Sequence, residues 1–366
     1  MSGGVDSAVA AALLREQGCE VGGVTFRLYC YGDEAGASRA CCGLEGIRDA
    51  QATARRLDIA HTILDLEDLF RARVIDDFVR EYAAGRTPNP CVECNTHVKF
   101  APLLQWGRRQ GYDAIATGHY VRLERREVGG RLRPLLRAAV DPSKDQSYVL
   151  WGVPPGILQS TVFPLGGLSK PEVRARARDL GLPVWEKHES QDICFVGDEG
   201  YAAVLRRSLG EEHPVFREGE ILDEDGTILG RHAGLAHYTI GQRRGIGVSG
   251  PEPLHVISLE PQRNALRVGS ASSLDRLELT ASGLVLHVPP EELERDEVEV
   301  KIRYRHQPAR ARVTVERDRL RVRFVEPQRA VAPGQSCVVY RDSFLLAGGR
   351  IDGDPEPRVE ATGVPS

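Results

Sequence analysis

The sequence predicts an α/β doubly wound parallel sheet, then a small mixed central domain, then a small β-barrel or sandwich. Three observations predict it. Helical and strand-like patterns alternate up to about residue 204, two hairpin-like units follow from about 205, and residues from about 275 to 350 are almost all short strands. Strands alternating with helices build parallel βα units. Short strands at close turn spacing build barrels or sandwiches.

The elements follow in order. "DSAVAAALLREQG" is Ala/Leu-rich and predicts a helix, with Gly18 where a C-cap belongs. "EVGGVTFRLY" reads as a buried strand, "LEGIRDAQATARRL" as a helix and "AHTILDL" as a strand. "FAPLLQWGRRQG" is helical and "YDAIATGHYV" a strand. In "SKPEVRARARDLG", Ser169 and Glu172 have the spacing of a capping box. "GEILDEDGTILG" is two short strands around an Asp-Gly turn, and "LHVISLEPQRNALRVG" is a second hairpin-like unit. "VEVKIRYR", "ARVTVE", "LRVRFV" and "SCVVYRDSFLLAGGRI" supply the final strands, and the tail "DGDPEPRVEATGVPS" reads as disordered. The division is 1–204, 205–272 and 273–352, with 353–366 as the tail.

At 366 residues, 41% hydrophobic and 27% charged, the chain reads as an ordinary globular protein with room for two or three domains. No apolar run approaches the roughly 18 residues of a membrane span. The opening segment carries Asp6 and no basic leader, so it reads as no signal peptide. Net charge is −4, so a nucleic-acid partner has to be met by local patches. Eight cysteines spread over a long chain favour reduced thiols in the cytoplasm over a disulfide framework. Cys19 and Cys337 read as buried small hydrophobes, and Cys41-Cys42 as a loop thiol pair.

Ser2-Gly3-Gly4-Val5-Asp6-Ser7 runs directly into the first helix. Two glycines let backbone N–H groups approach an anion, the helix N-terminus adds its dipole, and two serines add hydroxyls. There is no Gly-Lys-Ser/Thr, which argues against γ-phosphoryl transfer. The lone CxxC of Cys91 and Cys94 cannot complete a four-ligand metal site, so those thiols need partners elsewhere.

"SGGVDS" resembles the pyrophosphate loop of ATP pyrophosphatases, which cleave ATP to AMP and pyrophosphate. Such a loop normally follows a hydrophobic first strand. Here it opens at Met1, so the expectation is a sheet lacking that strand. "NPCVECNTHVKF", "ATGHYVR", "DPSKDQSYVLW", "FPLGGLSKPEVR", "ESQDICFVG", "HYTIGQRRGIGV" and "APGQSCVVY" follow in that order. With "SGGVDS" they resemble the tRNA-specific 2-thiouridylase family over essentially the whole chain. The resemblance implies an ATP-pyrophosphatase catalytic domain, a small central domain and a C-terminal β-barrel.

It also implies ATP with Mg2+ and a tRNA substrate (the tRNAs for Lys, Glu and Gln). The C2 oxygen of the wobble uridine is adenylated, and sulfur then displaces AMP. The sulfur donor is a persulfide carrier protein or inorganic sulfide. By family pattern, Ser2, Gly3, Gly4, Val5, Asp6, Ser7, Phe26 and Gly118 bind ATP; for Phe26, core packing is an equal reading. Asn89, Pro90, Cys91, His119, Lys144, Asp145, Gln146, Arg303, Tyr304, Arg305 and Gln335 meet tRNA. Taken alone, His119 reads as a satisfied strand-end histidine and "KDQ" as a polar turn. Residues 301–330 hold ten Lys/Arg against three Asp/Glu, which suits phosphate contacts or simply a solvated face.

Cys94 and Cys194 match the family's two catalytic thiols. Cys194 carries the persulfide, and Cys94 attacks it, leaving a disulfide between them. Cys91 departs from the pattern, since many members carry Asp there. Cys91, Cys94 and Cys194 are the three thiols a [4Fe–4S] cluster with one open iron needs. A metal-free persulfide relay and a structural zinc are the alternatives. Two other functions stand beside the sulfurtransferase: a different ATP-pyrophosphatase synthetase, or a tRNA-binding homologue without catalysis.

Overall fold

In a computed structural model, residues 1–28, 44–187, 193–197, 199–250 and 252–353 are described. Cys30, Cys41, Cys42, half of the "ESQDICFVG" motif and the tail from residue 354 lie outside them.

The phosphate-loop helix spans Val5–Glu16. It ends as expected: Gly18, at φ +81°, donates to Arg15 O, and Cys19 donates to Leu14 O. The chain then swings outward, so Cys19 is exposed and not the core residue expected, whereas Cys337 is fully buried. β1 (Gly22–Arg27) and β2 (Ala60–Asp65) pair in parallel across the crossover helix Leu44–Leu57. Met1 lies beside β1, donating from its amine to Val24 O and accepting from Thr25 Oγ1.

Residues 67–83 and 90–109 form two helical runs, each interrupted by a π-helical segment (Arg71–Ile75 and Cys94–Lys99). Such wide turns often mark functional positions, because one inserted residue re-aims the side chains around it. The strand expected over "YDAIATGHYV" is only β3 (Ile115–Ala116), which later pairs in parallel with β6 (Thr161–Val162). Among the described residues the doubly wound sheet therefore stands as two parallel pairs, β1–β2 and β3–β6.

Between them lies a hairpin, β4 (Val121–Val128) and β5 (Arg131–Ala138), turned at Gly129 and Gly130 with φ +58° and +71°. Its Gly-Gly turn is the primed kind that hairpins favour. The helix Lys170–Asp179 opens with the capping box, the Ser169 N–H donating to Glu172 Oε2 at 2.7 Å.

In the central region, β7 (Gly219–Leu222) and β8 (Ile228–His232) join β9 (His255–Glu260) and β10 (Ala265–Gly269). The two hairpins merge into one sheet ordered β8-β7-β10-β9, with β10 parallel to β7. It shares an apolar cluster with the catalytic helices: Phe70, Phe78, Cys94, Val98 and Phe195 pack with Ile221 and Leu266.

The last strands are β11 (Asp275–Leu286), β12 (Val298–Lys301), β13 (Ala309–Glu316), β14 (Arg319–Arg329), β15 (Ser336–Arg341) and β16 (Phe344–Ile351). They run β11-β14-β13-β12-β15-β16, and β11 pairs again with β16, closing a six-stranded barrel. Along β14, Leu320, Val322 and Phe324 face in while Arg319, Arg321 and Arg323 face out. β16 also pairs with β5 at Phe344 and Arg137, so the hairpin extends the barrel sheet into the catalytic region.

Candidate active site

The phosphate loop is built by two close approaches. Gly3 has φ +72°, and a Cβ there would stand 2.2 Å from Gly46 O. Gly118, at the end of β3, lies so close to the helix start that a Cβ would be 2.8 Å from Asp6 C and Ser7 N. Ser7 Oγ accepts from the Ser2 N–H and donates to Gly4 O, both at 3.1 Å, so the loop is folded on itself. Its amides lie at the start of a twelve-residue helix, where an anion is favoured.

Two side chains that sequence reasoning missed complete this end. Asp6 Oδ1 accepts from Lys170 Nζ and from Tyr120 Oη, both at 2.7 Å. Lys170 is buried, with its ammonium 5.6 Å from the centre of the Tyr120 ring. A lysine in the first turn of a helix opposes the macrodipole. That position, beside the Ser169 cap, was the readable signal that Lys170 has another task.

The thiols lie along the run 90–109. Asn89 is its N-cap and Pro90 takes the first turn. Cys91 is exposed and Cys94, one turn on, is buried at 5%. Burial pushes the Cys94 thiol up, the Lys99 ammonium draws it down, and Cys91 opposes Lys99. Cys194 is exposed on a turn closed by the Val196 N–H to Ile193 O, 2.9 Å. Its neighbours Ile193 and Phe195 pack into the same apolar cluster as Cys94. Phe195 meets Phe70 and Phe78 edge-on, with centroids 5.8 and 5.2 Å away. Phe195 thus anchors the Cys194 turn on the run 67–83, in the apolar cluster that also holds Cys94.

His119 links the two ends. It follows Gly118, its Nδ1 bonds Thr117 Oγ1 at 2.9 Å, and its ring stacks on Phe100. Burial, helped by Lys99, holds it down to about 3, so it is a neutral imidazole. Lys99 thus acts on both Cys94 and His119, and it is a third residue sequence reasoning passed over.

The remaining expected contacts are mostly occupied within the fold. Phe26 packs against the Cys94 cluster, which favours the core reading. Asp145 accepts from Ala139 N, Ser147 N and Ser147 Oγ, and Gln146 Oε1 accepts from Tyr120 N. Lys144 is half-buried beside them. Tyr304 donates to Asp145 O at 3.1 Å, and Arg303 donates to Arg329 O at 3.0 Å. Arg305 is exposed. Gln335 donates to Thr87 O at 2.9 Å, pinning the loop before Asn89 to the barrel. On the outer barrel face Glu278 pairs with Arg321 and Arg323, and Glu297 with Arg310, so part of the local positive charge is neutralised in place.

Residues 1–198 match the tRNA methyl transferase HUP domain model, 207–270 its PRC-barrel domain, and 276–351 the aminomethyltransferase beta-barrel domain. The tRNA-specific 2-thiouridylase MnmA of Methylobacterium radiotolerans is 46% identical over 358 residues, covering 96% of this chain and 92% of that protein. The chain belongs to the tRNA-specific 2-thiouridylase family. The thiouridylase of Rhizorhabdus wittichii is also 46% identical, covering 96% and 90%, and that of Geotalea uraniireducens is 44% identical, covering 96% and 93%. An NMN synthetase from Francisella tularensis aligns over 52% of this chain and 63% of its own at 16% identity with a TM-score of 0.32, a likeness too slight to argue from.

Donor chemistry also bears on the thiols of this family member. Cys91 and Cys94 are one turn apart on a helix, but among the described residues no three His, Cys, Asp or Glu side chains gather around one metal ion.

Proposed function

We propose that this member of the thiouridylase family is a tRNA-uridine 2-sulfurtransferase that consumes ATP, with Mg2+, to place sulfur on C2 of the wobble uridine in tRNAs for Lys, Glu and Gln. One observation carries the reading. The end of β3 joins both halves of the chemistry, with Gly118 against the phosphate loop and His119 stacked on Phe100 of the run that carries Cys94. In this reading residues 1–204 do the chemistry, 205–272 support the thiol helices, and 273–352 hold the RNA. We place the reaction in the cytoplasm, on the reduced-thiol reading of the eight cysteines.

The chemistry falls into two steps. The uridine C2 oxygen attacks the α-phosphorus, and pyrophosphate leaves into the amides and hydroxyls of Ser2–Ser7. C2 now bears a good leaving group. Cys194 holds a persulfide from a carrier protein; the Cys94 thiolate attacks its inner sulfur, forming the Cys94–Cys194 disulfide and expelling hydrosulfide. Hydrosulfide adds to C2 and AMP departs. A thiol reductant then restores both cysteines. Inorganic sulfide, as donor, enters at the last step and bypasses the relay.

The test is nucleoside mass spectrometry of unmodified tRNA after incubation with Mg-ATP and a persulfide donor, with pyrophosphate release followed in parallel. The wild type is expected to form 2-thiouridine. C94S and C194S are expected to release pyrophosphate without forming it. Full thiolation by both variants would overturn the relay; a wild type that forms no 2-thiouridine, or pyrophosphate release indifferent to tRNA, would overturn the assignment.

A further inference from the structure

Below the thiol helix lies a charged cluster that the relay does not use. Asp77 and Glu81, from the run 67–83, and Glu93, the residue before Cys94, are all largely buried. A single guanidinium from the barrel joins them. Arg350, in β16, donates from Nη2 to Asp77 Oδ2 at 3.0 Å and to Glu93 Oε1 at 2.8 Å, and its Nη1 lies 3.3 Å from Asp77 Oδ1 and from Glu81 Oε1. Its backbone is held on both sides, paired with Ser282 of β11 and Ser336 of β15. Among the described residues, the other charged groups facing the cluster include Arg86 on Glu81, the mostly exposed Arg80 on Asp77, and His97 at 3.4 Å from Glu93.

The balance shows what Arg350 does. Without it, among the described residues, Glu81 keeps Arg86 and Asp77 keeps Arg80, while Glu93 keeps His97. A carboxylate left with only His97 would then sit beside the Cys94 turn, which is π-helical and held by the wider i→i+5 bonds. Several buried ions around one fork are a weak device for stability alone, because desolvation offsets much of their attraction. They are an effective device for fixing relative position, since a planar guanidinium accepts only a few arrangements of carboxylates.

We propose that Arg350 is a positioning residue for Cys94: the barrel reaches under the catalytic region and fixes the orientation and electrostatic surroundings of the turn carrying the attacking thiol. This rests on the sulfur-relay reading. The barrel then completes the thiol site in addition to any contact it makes with RNA.

The test uses the full-length chain with R350Q, R350K and R350Q/E93Q. Site-resolved alkylation of Cys94 across pH needs no tRNA and is read beside thiolation kinetics. R350Q is expected to lower kcat by about 10- to 100-fold with KM for tRNA little changed, as small misplacements of reacting groups do. Its Cys94 alkylation midpoint should move to higher pH, because an unpaired carboxylate opposes the thiolate. Adding E93Q should return the midpoint, while kcat stays low because the fork is still absent. R350K, which keeps the charge but loses the fork, should fold, keep the midpoint and still lose kcat. Wild-type kcat in R350K, or a midpoint that R350Q leaves unmoved, would overturn the proposal. If even the wild type fails to thiolate tRNA, the functional reading falls while alkylation still decides the role of Arg350.

Discussion

Replacing Gly118 by Ala tests the link between strand end and phosphate loop. The added Cβ would stand 2.8 Å from Asp6 C and Ser7 N and 3.1 Å from Asp6 O, where ordinary contact begins near 3.4 Å. These are backbone atoms in the first turn of the Val5–Glu16 helix, so no side chain can swing aside. The strand end and the loop must separate by about 0.6 Å. A misplacement of about 1 Å at reacting groups can cost about 100-fold, so roughly 10-fold is expected in kcat/KM for ATP. Overpacking of this kind lowers stability by about 1–3 kcal/mol. The assay is tRNA-dependent pyrophosphate release against ATP concentration, with a thermal melt on the same samples. Gly156→Ala is the control, because a Cβ there meets nothing within 4 Å. A folded G118A protein with wild-type ATP kinetics would refute the argument that Gly118 sets the loop.

Other outcomes follow from the same geometry. Lys170→Met leaves Asp6 with Tyr120 alone and should weaken ATP use by about 10-fold or more, the worth of one charge-assisted hydrogen bond, measured as KM for ATP. His119, His287 and His306 are each held low by burial, to about 3, 4 and 4. The unfolded chain therefore binds more protons than the folded one below the ordinary value of 6.5, and stability should fall as pH drops from there towards 4. Urea midpoints that are flat or rising from pH 7 to pH 5 would contradict this. Because burial pushes the Cys94 thiol up, thiolation from a persulfide donor should accelerate with alkaline pH, whereas pyrophosphate release should not follow that limb.

What could be read from the sequence was whatever rests on local chemistry. The helix Leu44–Leu57 was legible from its periodicity, the first helix from the glycine at its end, and the helix at Lys170 from its capping box. The hairpin β4–β5 was not, because its strands are dense in arginine and glutamate, although Gly129-Gly130 marked its turn. The CxxC was plain, but the unequal burial of its two thiols arises from packing against Phe195 and the central sheet, contacts distant in sequence. Arg350 is one charged residue in an apolar strand, and nothing local announces the three carboxylates it meets. Asp145 and Gln146 look like solvated polar residues in sequence, yet their side chains hold the fold together.

The measurement that most directly tests the account is a single-turnover reaction with a persulfide donor, quenched with an alkylating agent and mapped by peptide mass spectrometry. The account predicts a Cys94–Cys194 disulfide that accumulates in step with 2-thiouridine and is absent when inorganic sulfide is the donor. Thiouridine formed from the persulfide donor while both cysteines remain reduced would contradict it.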